Sequence, residues 1–267
     1  MSRHNQRQAA QLRPLKLSFN AFGYADSSVL IELGNTKVLC SVTLTDYTPP
    51  FLRDKKTGWL SAEYAMLPSA THQRTAREAV MQKRNARSIE ISRLIGRAFR
   101  SVVDLKRLGE QRTIQIDCDV LQADGGTRVA AITGTSLALR LAEQRWLNLQ
   151  LLKAPIITTT LAAVSVALVR DQVVLDPDYQ EDSAATVDFN FVLTQDDQLV
   201  ELQGTAEAAP LSWPQFAEFK DLAQAGVQQL FTQLEIDFQA LVTTETATLH
   251  TPIQFQIPKK LRQHVGD

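Results

Sequence analysis

The chain has 267 residues, 44% of them hydrophobic and 21% charged, with a formal net charge of −1. That length supports one large α+β domain or two small ones with an ample core. The longest apolar run, residues 161–169, is too short to span a bilayer, and residues 1–7 hold no apolar core of a secretory leader, so neither a membrane nor a secreted protein is expected.

In chain order, residues 1–12 read as a polar, basic arm that is poorly ordered alone. Apolar-rich strands at 28–33 and 36–44 flank Gly34-Asn35, a hairpin turn. A loop at 49–56 leads to a strand at 59–66, stopped by Pro68. Ile91, Leu94, Ile95, Ala98, Phe99, Val102 and Val103 then recur at i, i+3, i+4, one buried helical face, with Arg93, Arg97 and Arg100 opposite. Leu108-Gly109 ends that helix. A strand at 112–122 follows, in which Ile114, Ile116, Cys118 and Val120 share a face, then the turn Gln122-Ala123-Asp124-Gly125-Gly126-Thr127-Arg128 and a small-residue helix to about Trp146. The second half repeats the plan with strand pairs at 162–169 and 172–175, then 187–193 and 199–204. Ser212 with Gln215 makes a capping box before Phe216, Phe219, Leu222, Ala223, Val227, Leu230, Phe231 and Leu234 continue at helical spacing. Two halves of antiparallel strands followed by helices suggest an internal duplication of a β-α unit in a single α+β domain. The chain thus divides into the arm at 1–12, a domain at 13–242 and a polar tail at 243–267.

Three features carry chemistry. Cys40 and Cys118, with four histidines, form neither a zinc pattern nor a disulfide framework, and a reducing cytoplasm is the expected setting. Charge is segregated: residues 69–112 hold eleven Lys/Arg against four Asp/Glu, whereas 171–207 hold ten Asp/Glu and no Lys or Arg. A basic surface for a polyanion and a separate acidic cluster fit that pattern, as do two solvated faces. Within the acidic stretch, Asp176, Asp178, Glu181, Asp182 and Asp188 crowd together without basic neighbours in sequence. A cation or shared proton would relieve their repulsion and magnesium suits such oxygen ligands; the alternative is an acidic turn in water.

The strand, glycine turn and helix start at 122–128 form an anion site. Glycine lets the backbone approach a ligand, the first helical N–H groups point at it with the positive end of the dipole, and Arg128 adds a guanidinium fork. An Asp-Gly-Gly turn that only reverses the chain is the bland alternative.

The run Leu121-Gln122-Ala123-Asp124-Gly125-Gly126-Thr127-Arg128, preceded by Asp117-Cys118-Asp119, resembles the phosphate-site signature of the bacterial ribonuclease PH family. The resemblance extends from about Arg13 to Leu234 through Gly58-Trp59, Ala62-Glu63-Tyr64, Met66-Leu67-Pro68, Ala76-Arg77-Glu78, Arg93-Leu94-Ile95 and Gln203-Gly204-Thr205-Ala206-Glu207. It implies the duplicated β-α fold of the ribosomal protein S5 domain 2-like type, and a ring hexamer built as a trimer of dimers. It also implies phosphorolytic 3′-to-5′ trimming of RNA, chiefly transfer RNA precursors, that releases nucleoside 5′-diphosphates. Carried over residue by residue, inorganic phosphate as co-substrate is bound by Arg87, Gly126, Thr127 and Arg128. Asp182 and Asp188 are catalytic and hold Mg²⁺, while Arg74 and Arg77 serve RNA or inter-dimer contacts. A catalytically silent ring subunit that only positions RNA is the competing reading. The chain departs from the family at Ala86 and Ser88 around Arg87, at the bulkier, more basic 81–85, at Ser69 where arginine is frequent, at Val129, and in the tail.

Overall fold

A computed structural model describes residues 3, 5–52, 55–81, 85–206 and 210–248. Strands β1 (Leu15–Phe19), β2 (Ser27–Leu33) and β3 (Thr36–Thr45) form an antiparallel meander, its tight β2–β3 turn made by Gly34 at φ 57° and Asn35. β1 had no place in the sequence reading, although Leu15, Leu17 and Phe19 alternate with Lys16 and Ser18 and pack on the core. β4 (Trp59–Met66) and β5 (Thr113–Gln122) complete a sheet of order β1-β2-β3-β5-β4, with β4 parallel to β5. A parallel pair needs a long crossover. Here it carries three helices, α1 (Glu78–Met81), α2 (Ala86–Arg100) and α3 (Leu105–Leu108).

The sequence reading ran one helix through Val103 to Leu108, and the structure divides it. α2 stops at Ser101, Val102 and Val103 stay buried, Val103 in a bridge to Ile157, and Asp104 caps a new helix by accepting the N–H groups of Lys106 and Arg107. A short side chain that satisfies two free amides favours a fresh start over continuation. Gly109, at φ 94°, ends α3.

After β5 comes α4 (Thr127–Asn148), which packs on β2 and β3 on one side and on β6 (Leu161–Val169) on the other. It is apolar nearly all round, with Ala130, Ala131, Ile132, Leu137, Ala138 and Leu139 all buried, as a helix between two sheets must be. β6 belongs to a second, fully antiparallel sheet of order β7-β6-β8-β9, with β7 (Gln172–Leu175), β8 (Val187–Thr194) and β9 (Leu199–Ala206). Helix α5 (Tyr179–Ser183) joins β7 to β8, and α6 (Trp213–Thr248) covers β6, β7 and β8 from the far side. The layers are therefore sheet, helix, sheet, helix, in agreement with a duplicated α+β plan. The Ser212–Gln215 capping box forms as read, Gln215 Oε1 accepting from Ser212 N at 3.1 Å. α6 runs on to Thr248, through the expected tail boundary at 243; residues 249–267 lie outside the described ones. Among the described residues no helix is long and apolar enough to cross a membrane.

Candidate active site

The glycine turn at the end of β5 bends through two left-handed residues, Gly125 at φ 77° and Gly126 at φ 66°. Side chains rarely adopt that conformation, and a Cβ on Gly125 would sit 2.7 Å from the carbonyl oxygen of Pro177. Gly126 is the N-cap of α4 and offers no side chain to the first amides, while its own carbonyl takes Ala130 N at 3.0 Å. The leading N–H groups of α4 thus remain for an outside anion. The Thr127 hydroxyl lies 2.8 Å from the hydroxyl of Tyr64, on β4, which is 2% exposed. Burial pushes the Tyr64 phenol up, against the pull of Thr127, Arg87 and Arg128. Arg128 reaches Gln203 Oε1 on β9 at 2.7 Å, with Glu90 at 3.5 Å.

A second helix start faces the same region. Asn85 caps α2 by accepting from Arg87 N at 2.9 Å, and the Arg87 side chain is exposed. The fields of Arg87 and Arg128 converge on Tyr64 and on Asp182. Asp182 belongs to α5 and Asp188 to β8, near enough for the charge of Asp188 to act on Asp182. Asp182 is accessible to solvent, yet protein crowds it enough for desolvation to push its carboxyl above the usual range. The charge of Asp188 adds to the rise, and Arg87, Arg128 and Arg13 oppose it. Among the described residues no group of three or more His, Cys, Asp or Glu is arranged to hold a metal.

The rest of the acidic constellation has a different explanation from the one expected. Asp176, Asp178 and Glu181 meet the N-terminal arm, whose arginines are their missing partners. Arg3 donates to Glu181 at 2.6 Å (Nε) and 2.5 Å (Nη2), and to the carbonyl of Leu175. Arg7 donates to Glu181 at 3.0 Å and to the carbonyl of Asp176 at 2.9 Å, and Arg13 grips Asp176 through Nε and Nη2. All three arginines are buried, so the arm is a docked element rather than a loose one in this fold. Asp178 and Glu181 also form a capping box that starts α5, a Asp-x-x-Glu signature present in the sequence but read there as a turn.

These pairs make a testable element of stability. Burial alone would raise Glu181, but its hydrogen bonds from Arg3 and the Asp178 N–H, with the charges of Arg3 and Arg7, bring it below the ordinary value. A lowered acid contributes stability above its unfolded value and loses it as pH falls through the folded one. Glu181→Gln should therefore cost about 3–5 kcal/mol at neutral pH, as for a broken buried pair. Urea unfolding should show the gap to wild type closing in acid; a gap that stays constant with pH would contradict the pairing.

Arg74 and Arg77 are exposed on the segment between β4 and α1, as is Ser69. Cys118 points to α4, 3.3 Å from Thr135, so strand alternation turns Asp117 and Asp119 to the face of the sheet opposite α4. Of the departing stretch 81–85, residues 82–84 are outside the described ones, as is Glu207. In the sequence Tyr64 and Arg13 stand out only as parts of matching runs; the structure puts one under Thr127 and the other behind the glycine turn.

Comparison with known proteins places the chain in a family. Residues 11–144 match the 3′ exoribonuclease family, domain 1 (RNase PH), and residues 159–226 match its domain 2. Ribonuclease PH from Bacillus subtilis (strain 168) is 49% identical over 229 residues, covering 85% of this chain and 93% of the relative. Among solved structures, rice (Oryza sativa) Rrp46 superposes with a TM-score of 0.72 at 16% identity, over 88% of this chain and 100% of that one. A chain of the Archaeoglobus fulgidus exosome with RNA bound to the active site gives 0.73 at 20% identity, over 87% and 92%. At those identities the two structures speak for the fold alone. The chain belongs to the 3′ exoribonuclease (RNase PH) family, and its activity is the phosphorolytic removal of nucleotides from RNA 3′ ends with inorganic phosphate as co-substrate.

Proposed function

We propose that the enzyme trims 3′ extensions, chiefly of transfer RNA precursors, at the site between the starts of α2 and α4. The observation that carries this reading is the uncapped α4 N-terminus at Gly126, with Thr127 held by Tyr64 and Arg128 by Gln203, and it is supported by the charges of Arg87, Arg128 and Asp188 all acting on Asp182. Phosphorolysis presses one anion against another, which is tolerable only where fixed positive charge cancels the repulsion. The amides at Gly126, Thr127 and Arg128, with the Arg87 guanidinium, hold inorganic phosphate. Tyr64 fixes the Thr127 hydroxyl beside it. An oxygen of the phosphate attacks the last phosphodiester phosphorus, the bond to the 3′ oxygen breaks, and that oxygen takes a proton. The products are a nucleoside 5′-diphosphate and RNA shorter by one nucleotide with a free 3′ hydroxyl.

Two carboxylates next to a phosphate site fit Mg²⁺, which favours one or two acidic ligands together with substrate phosphate. Asp182 and Asp188 would hold it, and when bound it supplies charge neutralisation at the departing oxygen. Their mutual charge, felt in the raised Asp182 carboxyl, is the kind of repulsion that a cation relieves. Arg74, Arg77 and Ser69 lie on an exposed basic segment suited to RNA or to a neighbouring dimer in a ring hexamer, a trimer of dimers. Two free, buried cysteines suit a cytoplasmic setting. The competing reading of a silent ring subunit lacks support from the residues, since both arginines and both aspartates are in place.

A transfer RNA carrying extra 3′ nucleotides tests the substrate and the metal together. Trimming should depend on magnesium and slow at the mature end, and light scattering should give a hexamer. Equal activity in chelator, or a monomer with full activity on the precursor, would overturn these assignments.

A further inference from the structure

We infer that Arg13 is a positioning residue that locks the phosphate loop to the helix bearing Asp182, and so sets the spacing between the two reactants. This rests on the reading of the site given above. Arg13 is 5% exposed and lies between the two halves of the molecule. Its Nε and Nη2 grip Asp176, at 2.9 Å and 2.7 Å, and its backbone N–H reaches the same carboxylate at 2.8 Å. Toward the glycine turn, Nη1 donates to the carbonyl of Asp124 at 2.5 Å, and Nη2, shared with Asp176, donates to that of Gly125 at 3.3 Å.

Both ends of this strap lead directly to chemistry. Asp124 and Gly125 immediately precede the α4 N-cap Gly126, and Thr36 holds the same Gly125 carbonyl at 2.6 Å. At the other end, Asp176 sits in a left-handed conformation, φ 52°, two residues before Asp178, which caps α5, and Asp182 N bonds Asp178 O at 2.8 Å. The loop and the α5 start also touch, Tyr179 N donating to Asp124 Oδ1 at 3.3 Å. Arg13 thus joins an amide cradle from the first half to a carboxylate from the second, and its charge also reaches Asp182. A lysine keeps the charge but has no planar fork to satisfy both ends at once.

Arg13→Lys and Asp176→Asn test this, with kcat and the KM for phosphate measured on a short single-stranded RNA below the melting temperature of each variant. Both should raise the phosphate KM and lower kcat together, for a combined loss on the order of 10²-fold, the scale for a displacement of about 1 Å at a reacting centre. Free guanidinium at sub-denaturing concentration should restore part of the activity of Arg13→Ala. If Arg13→Lys does not fold, Asp176→Asn carries the same test. A folded variant of either residue that melts lower but keeps wild-type KM and kcat would overturn the inference, leaving a purely structural buried pair. Asp182→Asn and Arg128→Ala run alongside: if these also keep activity, the site assignment fails; if they are inactive while the strap variants are not, only the strap fails.

Discussion

Asp182→Asn and Asp188→Asn are each expected to cut turnover by roughly 10²–10⁴-fold, the range of a positioned acid or base. An amide keeps the shape of the carboxylate but supplies neither a negative charge nor a transferable proton. Folding should survive. Because the Asp182 carboxyl is raised, its ionised form is disfavoured in the folded state; the penalty is full above the folded value and vanishes as pH falls below the unfolded one. Asp182→Asn should therefore be as stable as wild type or slightly more stable at neutral pH, with the two converging in acid. RNA affinity should be nearly unchanged. Phosphorolysis at saturating phosphate across a magnesium titration reads the result: near-wild-type turnover in both variants would dismiss the acidic pair as a solvated turn. Rescue of one variant by high magnesium would assign that residue to the metal.

Arg128→Ala should raise the phosphate requirement sharply, with kcat/KM for phosphate down by about 10²–10³-fold, or roughly 2.7–4 kcal/mol, as when a preorganised donor is removed from an anion hole. Arg128 is held by Gln203 at 2.7 Å, so its fork is oriented before phosphate arrives. Loss of the charge should matter more than loss of the contact, and Arg128→Lys should recover part of the activity. RNA binding should fall far less, since it draws on many distributed cations and is salt-dependent. Wild-type kinetics at low phosphate would contradict the assignment.

Local signals were legible in the sequence. Alternation within 112–122 and the paired glycines at 125 and 126 placed a strand, a turn and a helix start because each depends on neighbours a few residues away; the strand runs Thr113–Gln122. The capping box at Ser212 was legible for the same reason. What escaped was the non-local pairing. Arg3 and Glu181 lie 178 residues apart, and nothing in either stretch announces the other; the charges were visible, but their cancellation was not. Five acids therefore looked like one cluster, when three of them, Asp176, Asp178 and Glu181, meet the arginines of the chain's start. The α5 capping box was overlooked because five residues of helix leave no periodicity to read. Tyr64 was hidden by its own strand, where a buried aromatic reads as core until its hydroxyl is found against Thr127.

The central claim is that inorganic phosphate, not water, is the attacking group at this site. Incubating the purified protein with unlabelled RNA and radiolabelled inorganic phosphate tests it most directly. The label should appear in the β-phosphate of nucleoside 5′-diphosphates, with no digestion when phosphate is omitted and none by the Arg128→Ala variant at low phosphate. Unlabelled nucleoside monophosphates, formed equally well without phosphate, would contradict it.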